Sequence, residues 1–248
     1  MGHDGRLALV TGAARGVGAA LTRALVAEGA RVVATDIDGP AVEAFANSVD
    51  ATGHTVIPVR LDVTSEAGCR EMAGTIEASH GPIESLVNNA GVYPAQPFEE
   101  ISYDDWRRVL TVNLDSAFLM TRAVVPAMKR RRRGRIVNIS SGTVLHGVPN
   151  FAHYASAKAG IIGLTRSLAA ELGPFGITVN AVAPGLTATE TVLRSMSPAM
   201  LQARREARAL KRDLKAEDIV GAIVFLVSDA AELVTGQLIN VDGGLNMH

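Results

Sequence analysis

Short, largely apolar runs constrain this chain more than any other feature. They fall at residues 7–10, 31–35, 54–60, 83–88, 135–139, 177–180 and 238–241. A strand that is apolar on both faces has to be covered on both, which is the condition of a parallel sheet clothed by helices. The segments between the runs carry apolar residues at helical spacing, at 19–27, 40–51, 65–79, 99–131, 154–172 and 216–228. About seven strands alternating with helices specify an α/β chain. The expected architecture is a doubly wound sheet of about seven parallel strands with helices on both faces, in a single domain spanning residues 1–248. In such a sheet ligands bind in the crevice at the carboxyl ends of the strands.

The turn after the first run, T-G-A-A-R-G-V-G, holds Gly12, Arg15, Gly16, Val17 and Gly18 and opens a helix. Glycines there permit a tight turn and let backbone N–H groups approach a pyrophosphate at the helix N-terminus. The second run ends in Asp36, eighteen residues after Gly18. A carboxylate at that distance accepts hydrogen bonds from both adenosine ribose hydroxyls and repels a 2′-phosphate, so it selects NAD over NADP. Arg15 pulls the other way, since a guanidinium pairs with phosphate. Tyr154 and Lys158 lie four residues apart on one helix, with Cβ atoms about 5–6 Å apart on one face. A free phenol titrates near about 10 and is a poor proton shuttle at neutral pH, and a neighbouring ammonium is the kind of group that lowers that value. Ser141, thirteen residues before Tyr154, stands where the fifth run gives way to a loop that can fold back toward the phenol.

The segment G-R-I-V-N-I-S followed by S-x12-Y-x3-K resembles the catalytic segment of the short-chain dehydrogenase/reductase family, and the resemblance extends over essentially the whole chain. It implies a Rossmann-type fold and a catalytic set of Asn113, Ser141, Tyr154 and Lys158. In the family the asparagine matching Asn113 bends its helix and holds a water that links the lysine to solvent. Asp62 matches the aspartate that hydrogen-bonds the adenine amino group, and Val63 the residue that packs on the ring. N-N-A-G at 88–91 matches the fourth-strand motif, placing Asn89, Ala90 and Gly91 against the cofactor. A-P-G-L-T-A-T at 183–189 matches P-G-x3-T, placing Pro184, Gly185, Thr187 and Thr189 at the nicotinamide and phosphates. Tyr154 and Lys158 also border the cofactor by this resemblance. Family members are often tetrameric, pairing the two long helices around Asn113 and Tyr154, and residues 245–248 are expected to reach a neighbouring subunit. The stretch 187–215 is expected to form a mobile helical lid without strand pairing.

The substrate expected beyond the nicotinamide is a medium-sized apolar or aromatic secondary alcohol or ketone. Tyr93, Val144, Leu145, Val148 and Met196 are expected to line its pocket, with His146 and Asn150 as polar handles; N-N-A-G-V-Y-P and the chain end are similar to those of NAD-linked aryl-alcohol members of the family. One alternative is an NADPH-dependent 3-oxoacyl-carrier-protein reductase, with Arg204, Arg205, Arg208 and Arg212 meeting an acidic carrier. Another is a nucleotide-sensing scaffold without catalysis. Net charge is -1 and there is one cysteine, Cys69, so neither a global field for nucleic acid nor a disulfide is expected. K-R-R-R-R-G-R at 129–135 sits at a helix C-terminus, where cations complement the dipole. The longest apolar run, 219–227, has nine residues and is too short to span a bilayer. The expected protein is therefore a cytoplasmic enzyme that binds NAD and a small molecule, with no membrane, nucleic-acid or metal partner.

Overall fold

The computed structural model describes residues 3–189, 192–193 and 196–247. Each apolar run forms a strand: β1 Leu7–Thr11, β2 Arg31–Asp36, β3 Val56–Arg60, β4 Ile83–Asn88, β5 Gly134–Ile139, β6 Ile177–Pro184 and β7 Leu238–Val241. All pair in parallel, in the order β3-β2-β1-β4-β5-β6-β7. Chain order reverses between β1 and β4, so the switch point of the sheet opens there. β6 extends past the expected end at Asn180 because Ala181–Pro184 pair with β7.

The helices are α1 Gly16–Ala27, α2 Gly39–Val49, α3 Glu66–His80, α4 Tyr103–Leu110, α5 Ser116–Arg131, α6 Thr143–His146, α7 Ala152–Leu172, α8 Pro198–Ala207 and α9 Ala216–Leu226. Several begin at side-chain caps. Asp38 accepts from Ala41 N–H, Ser65 from Gly68 N–H and Ser102 from Asp105 N–H. α1 begins differently: Arg15 stands at its N-cap and no side chain caps the first turn.

Two apolar layers flank the sheet. Leu21 and Leu25 of α1, Val42 of α2, and Ile219 and Ile223 of α9 pack on one face. Met72 and Ile76 of α3, Met120, Val124 and Met128 of α5, and Leu172 of α7 pack on the other. The run at 219–227 thus lies largely in α9, and among the described residues no helix is long and apolar enough to cross a membrane. Cys69 is buried in the second layer as a free thiol, which burial pushes up to about 11.

The helix expected across 99–131 is instead a 3₁₀ turn at Phe98–Glu100, then α4, a π turn at Thr111–Asp115 and α5. Asn113 occupies the π turn. Its amide donates to the Val109 carbonyl four residues back, at 2.9 Å, competing with the backbone ladder that would use that oxygen.

The expected lid is held at its base. Thr187 bridges Leu214 in parallel, and Ala188 N–H donates to Leu214 O at 2.7 Å. Strand pairing at this point was not expected. Arg208, 2% exposed, donates to the carbonyls of Arg212 and Leu186. Residues 190–191 and 194–195 of the expected lid, and residue 248 of the chain end, lie outside the described residues. The basic run is dispersed: Lys129 pairs with Glu171, Arg131 with Glu77, Arg133 with Glu84 and Asp229, and Arg135 is buried.

Candidate active site

β5 ends against the start of α7, and paired serines join the two. Ser140 Oγ donates to the Lys158 carbonyl at 2.8 Å, which fastens α7 to the strand end. Ser140 is thereby used in structure. Ser141 Oγ accepts from Thr143 N–H at 3.2 Å and Thr143 Oγ1–H at 3.0 Å, and the Ser141 hydroxyl lies close enough to the Tyr154 phenol to draw its pKa down. Lys158, 4% exposed, donates from Nζ to the Ile139 carbonyl at 2.8 Å, and its Nζ lies 5.8 Å from the Tyr154 ring centroid.

Burial acts on both titrating groups. It pushes the Tyr154 phenol up, aided by Tyr93 and opposed by the Ser141 hydrogen bond. It also pushes Lys158 down to about 8. The direction expected for the phenol is reversed, because a buried phenolate loses water and Lys158 is not among the groups that shift it.

Asn113 bonds the Val92 carbonyl at 2.8 Å as well as Val109, tying the π turn to the segment after Gly91. Its Oδ1 is buried without a hydrogen-bond partner. A Cβ at Gly91 would stand 2.6 Å from that oxygen and 3.6 Å from Lys158 Nζ, so glycine lets both polar groups face the same backbone.

N-N-A-G is bolted to the glycine turn. Asn89 Nδ2 donates to the carbonyls of Thr11 and Gly12 at 2.8 and 3.0 Å, while Asn89 N–H and Ala90 N–H donate to Thr11 Oγ1. Asn88 Nδ2 crosses to Asn138 Oδ1 at 2.8 Å, joining β4 to β5. Gly12 has φ +64°, and a Cβ there would meet Ala90 Cα at 2.9 Å; at Gly18 it would strike the Gly12 carbonyl. Thr189 Cγ2 is 3.8 Å from a Cβ built on Gly16, so the loop after Pro184 closes over the same turn. Gly185 N–H donates to Val241 O, Pro184 O accepts from Gly142 N–H, and Thr187 Oγ1 donates to Gly185 O. An uncapped first turn, with Gly12, Gly16, Val17 and Gly18 around it, fits a pyrophosphate.

Asp36 accepts from Ala14 N–H at 3.2 Å and Asp38 N–H at 3.1 Å, which holds its carboxylate at the end of β2. Arg15 is paired with Asp38 at 3.0 Å. Asp62 directs one oxygen to Thr64 N–H and its hydroxyl, and Val63 packs against the core.

Several contributors were not singled out from sequence. Phe151 meets the Tyr154 ring edge-on at 6.1 Å, as Tyr93 does at 6.3 Å. His153 is buried and accepts the Tyr154 N–H at Nδ1. Asp242 and Asn246 bring the chain end to His146. The phenylalanine and histidine shortly precede Tyr154 in sequence, which was the available signal; the others are joined only by the fold.

A family model described as enoyl-(acyl carrier protein) reductase matches residues 12–246. The chain is 38% identical to the 3-oxoacyl-(acyl-carrier-protein) reductase FabG of Thermotoga maritima, over 98% of both chains. It is 40% identical to the probable galactose dehydrogenase GalD of Rhizobium meliloti, over 96% of this chain and 93% of that one. A solved structure from Agrobacterium tumefaciens, provisionally assigned as a gluconate dehydrogenase, superposes with a TM-score of 0.95 at 36% identity, covering 99% of this chain and 98% of that one. The motifs, the sheet order and these relatives agree: this chain belongs to the short-chain dehydrogenase/reductase family and is an NAD(P)-dependent oxidoreductase.

Proposed function

We propose that the chain interconverts a secondary alcohol and a ketone, with NAD(H) as its dinucleotide. What carries this reading is the meeting of the Ser141 hydroxyl and the Tyr154 phenol at the end of β5, with Lys158 behind them on the same helix. The dinucleotide that Gly12, Gly16 and Gly18 would hold would supply or accept the hydride. Tyr154 exchanges the proton with the substrate oxygen, and Ser141 orients that oxygen by hydrogen bonding. Lys158 favours the phenolate by charge once the site is closed from water. Asn113 supports the lysine through the oxygen it leaves facing Gly91.

The choice of NAD is supported by Asp36 at the ribose position and by the pairing of Arg15 with Asp38, which takes up the one cation of the glycine turn that could meet a 2′-phosphate. The edges of Tyr93 and Phe151 beside the phenol favour a substrate with an apolar flank. Residues 187–215 are the segment we assign as the lid. A groove of about 740 Å³ between α5 and α7, lined by Leu114, Phe118, Gly160 and Leu164, supports assembly into a homotetramer through these helices.

A second reading, 3-oxoacyl-carrier-protein reduction, is favoured by the likeness to FabG. Against it, Arg205 and Arg212 are paired with Asp213 and Asp218, and Arg208 is buried, so three of the four arginines expected to meet an acidic carrier are engaged within the chain. Initial rates with NADH and NADPH, on a panel of apolar ketones and on an acetoacetyl thioester, separate the two readings. We expect the faster reaction with NADH and a ketone; a preference for NADPH and the thioester would establish the second.

A further inference from the structure

The chain end reaches back over the segment that carries Ser141. Asp242, 2% exposed, accepts from Gly244 N–H and Leu245 N–H at Oδ1, and from Asn246 N–H, Asn246 Nδ2 and Asn240 Nδ2 at Oδ2. Burial alone would raise its pKa, but these bonds outweigh that and hold the carboxyl below the usual carboxylate range. An ionised carboxylate only accepts hydrogen bonds. The Asn246 amide nitrogen, 2.7 Å away, therefore has to be the atom that faces it. That fixes the other side of the amide: Asn246 Oδ1 points to His146 Nδ1, 3.1 Å distant. A carbonyl oxygen accepts, so Nδ1 carries the ring proton. In the neutral imidazole Nε2 is then a bare acceptor.

His146 ends α6, the turn of helix that follows Ser141, and is exposed there. Gly142, next to Ser141, donates its N–H to Pro184 O, and a Cβ at Gly142 would lie 3.8 Å from Asn246 Nδ2. The chain of bonds from Asp242 to His146 thus crosses beside the residue that orients the reacting oxygen.

We propose that Asp242 and Asn246 hold His146 as a hydrogen-bond acceptor at the rim of the substrate site, and that the substrate carries a second hydroxyl, away from the reacting carbon, that donates to Nε2. Asn246 is a positioning residue and His146 the specificity determinant. A lone pair in that place also disfavours a substrate carboxylate. The proposal rests on the reading of Ser141 and Tyr154 as the reacting end, and the experiment has one arm that does not depend on that reading.

That arm is the long-range nitrogen–proton spectrum of protein labelled with ¹⁵N-histidine, the His146 signals being assigned by their loss in His146→Ala. The expected result is the Nδ1–H tautomer in the wild type, lost or mixed in Asn246→Ala. An Nε2–H tautomer in the wild type overturns the proposal whatever the enzyme turns over. The second arm compares kcat/KM for two ketones that differ only in one hydroxyl remote from the carbonyl. We expect the hydroxylated ketone to be preferred by about five- to tenfold, the worth of one hydrogen bond, with the ratio falling toward one in His146→Ala and Asn246→Ala. A ratio unchanged by both substitutions overturns the proposal. Absence of turnover on every ketone with either dinucleotide instead counts against the oxidoreductase reading, while the tautomer still decides whether the relay exists.

Discussion

Tyr154 and Lys158 share a helix face, yet burial shifts both toward their uncharged forms, raising the phenol and lowering the amine. For Lys158 this has a pH signature. Its folded value is about 8 against 10.5 when unfolded, so between those values the unfolded chain holds more protons and stability rises with pH. Below pH 8 the whole cost of burying the ammonium is present, about 3 kcal/mol. Lys158→Met lacks the titration, so its stability advantage over wild type should shrink by that order between pH 7 and pH 10.5. Urea unfolding at the two pH values measures it, and a constant difference would contradict the burial argument. At the other end of the site, Asp38→Asn releases Arg15. The kcat/KM ratio for NADPH over NADH should rise about two- to fivefold, the modest effect of an exposed ion pair, and should not rise when Arg15→Ala is added. A ratio that stays put would mean that Asp36 alone governs the choice.

Among the elements, the most consequential is the π turn between α4 and α5. Asn113→Ala leaves the Val92 carbonyl without its donor, lets the ladder around Val109 revert, and frees the segment after Gly91. We expect a loss of about 1–3 kcal/mol, seen as a lower Tm, together with a fall in kcat. An unchanged Tm would show that the turn does not depend on this side chain. The turn was not legible from spacing, because Val109, Leu110, Leu114 and Phe118 keep a pattern close to helical period while the hydrogen-bond ladder slips beneath it. The central strands were legible, since the five residues of β1 and the six of β5 are buried on both faces, which suits a covered parallel sheet. The base of the lid was not, because the pairing of Thr187 with Leu214 joins positions with no shared local pattern.

Across the whole molecule, most residues read from motifs, from Gly12 to Thr189, gather at the carboxyl ends of the strands because all strands run the same way, while Asn113, Tyr154 and Lys158 come from the helical segments that follow. Topology therefore converts local motifs into one site. What escaped are pairings between residues that the sequence shows only separately: Arg15 of the glycine turn with Asp38, and His146 with Asn246, one hundred residues on. The proposed assembly is tested at this scale. Light scattering should give about four times the 26.0 kDa chain mass. Gly163→Arg should lower that mass, because Gly163 lines the groove and a Cβ there meets nothing within 4 Å inside the subunit. A wild type that already scatters as a single chain would rule the assembly out.

The account turns on Tyr154 as the proton donor to a substrate oxygen beside a bound dinucleotide. The most direct measurement is Tyr154→Phe, with NADH binding followed by calorimetry and turnover by NADH absorbance on a ketone that the wild type reduces. Binding within about twofold of wild type, with kcat reduced by two orders of magnitude or more, is the predicted outcome. A variant that turns over like the wild type would contradict it.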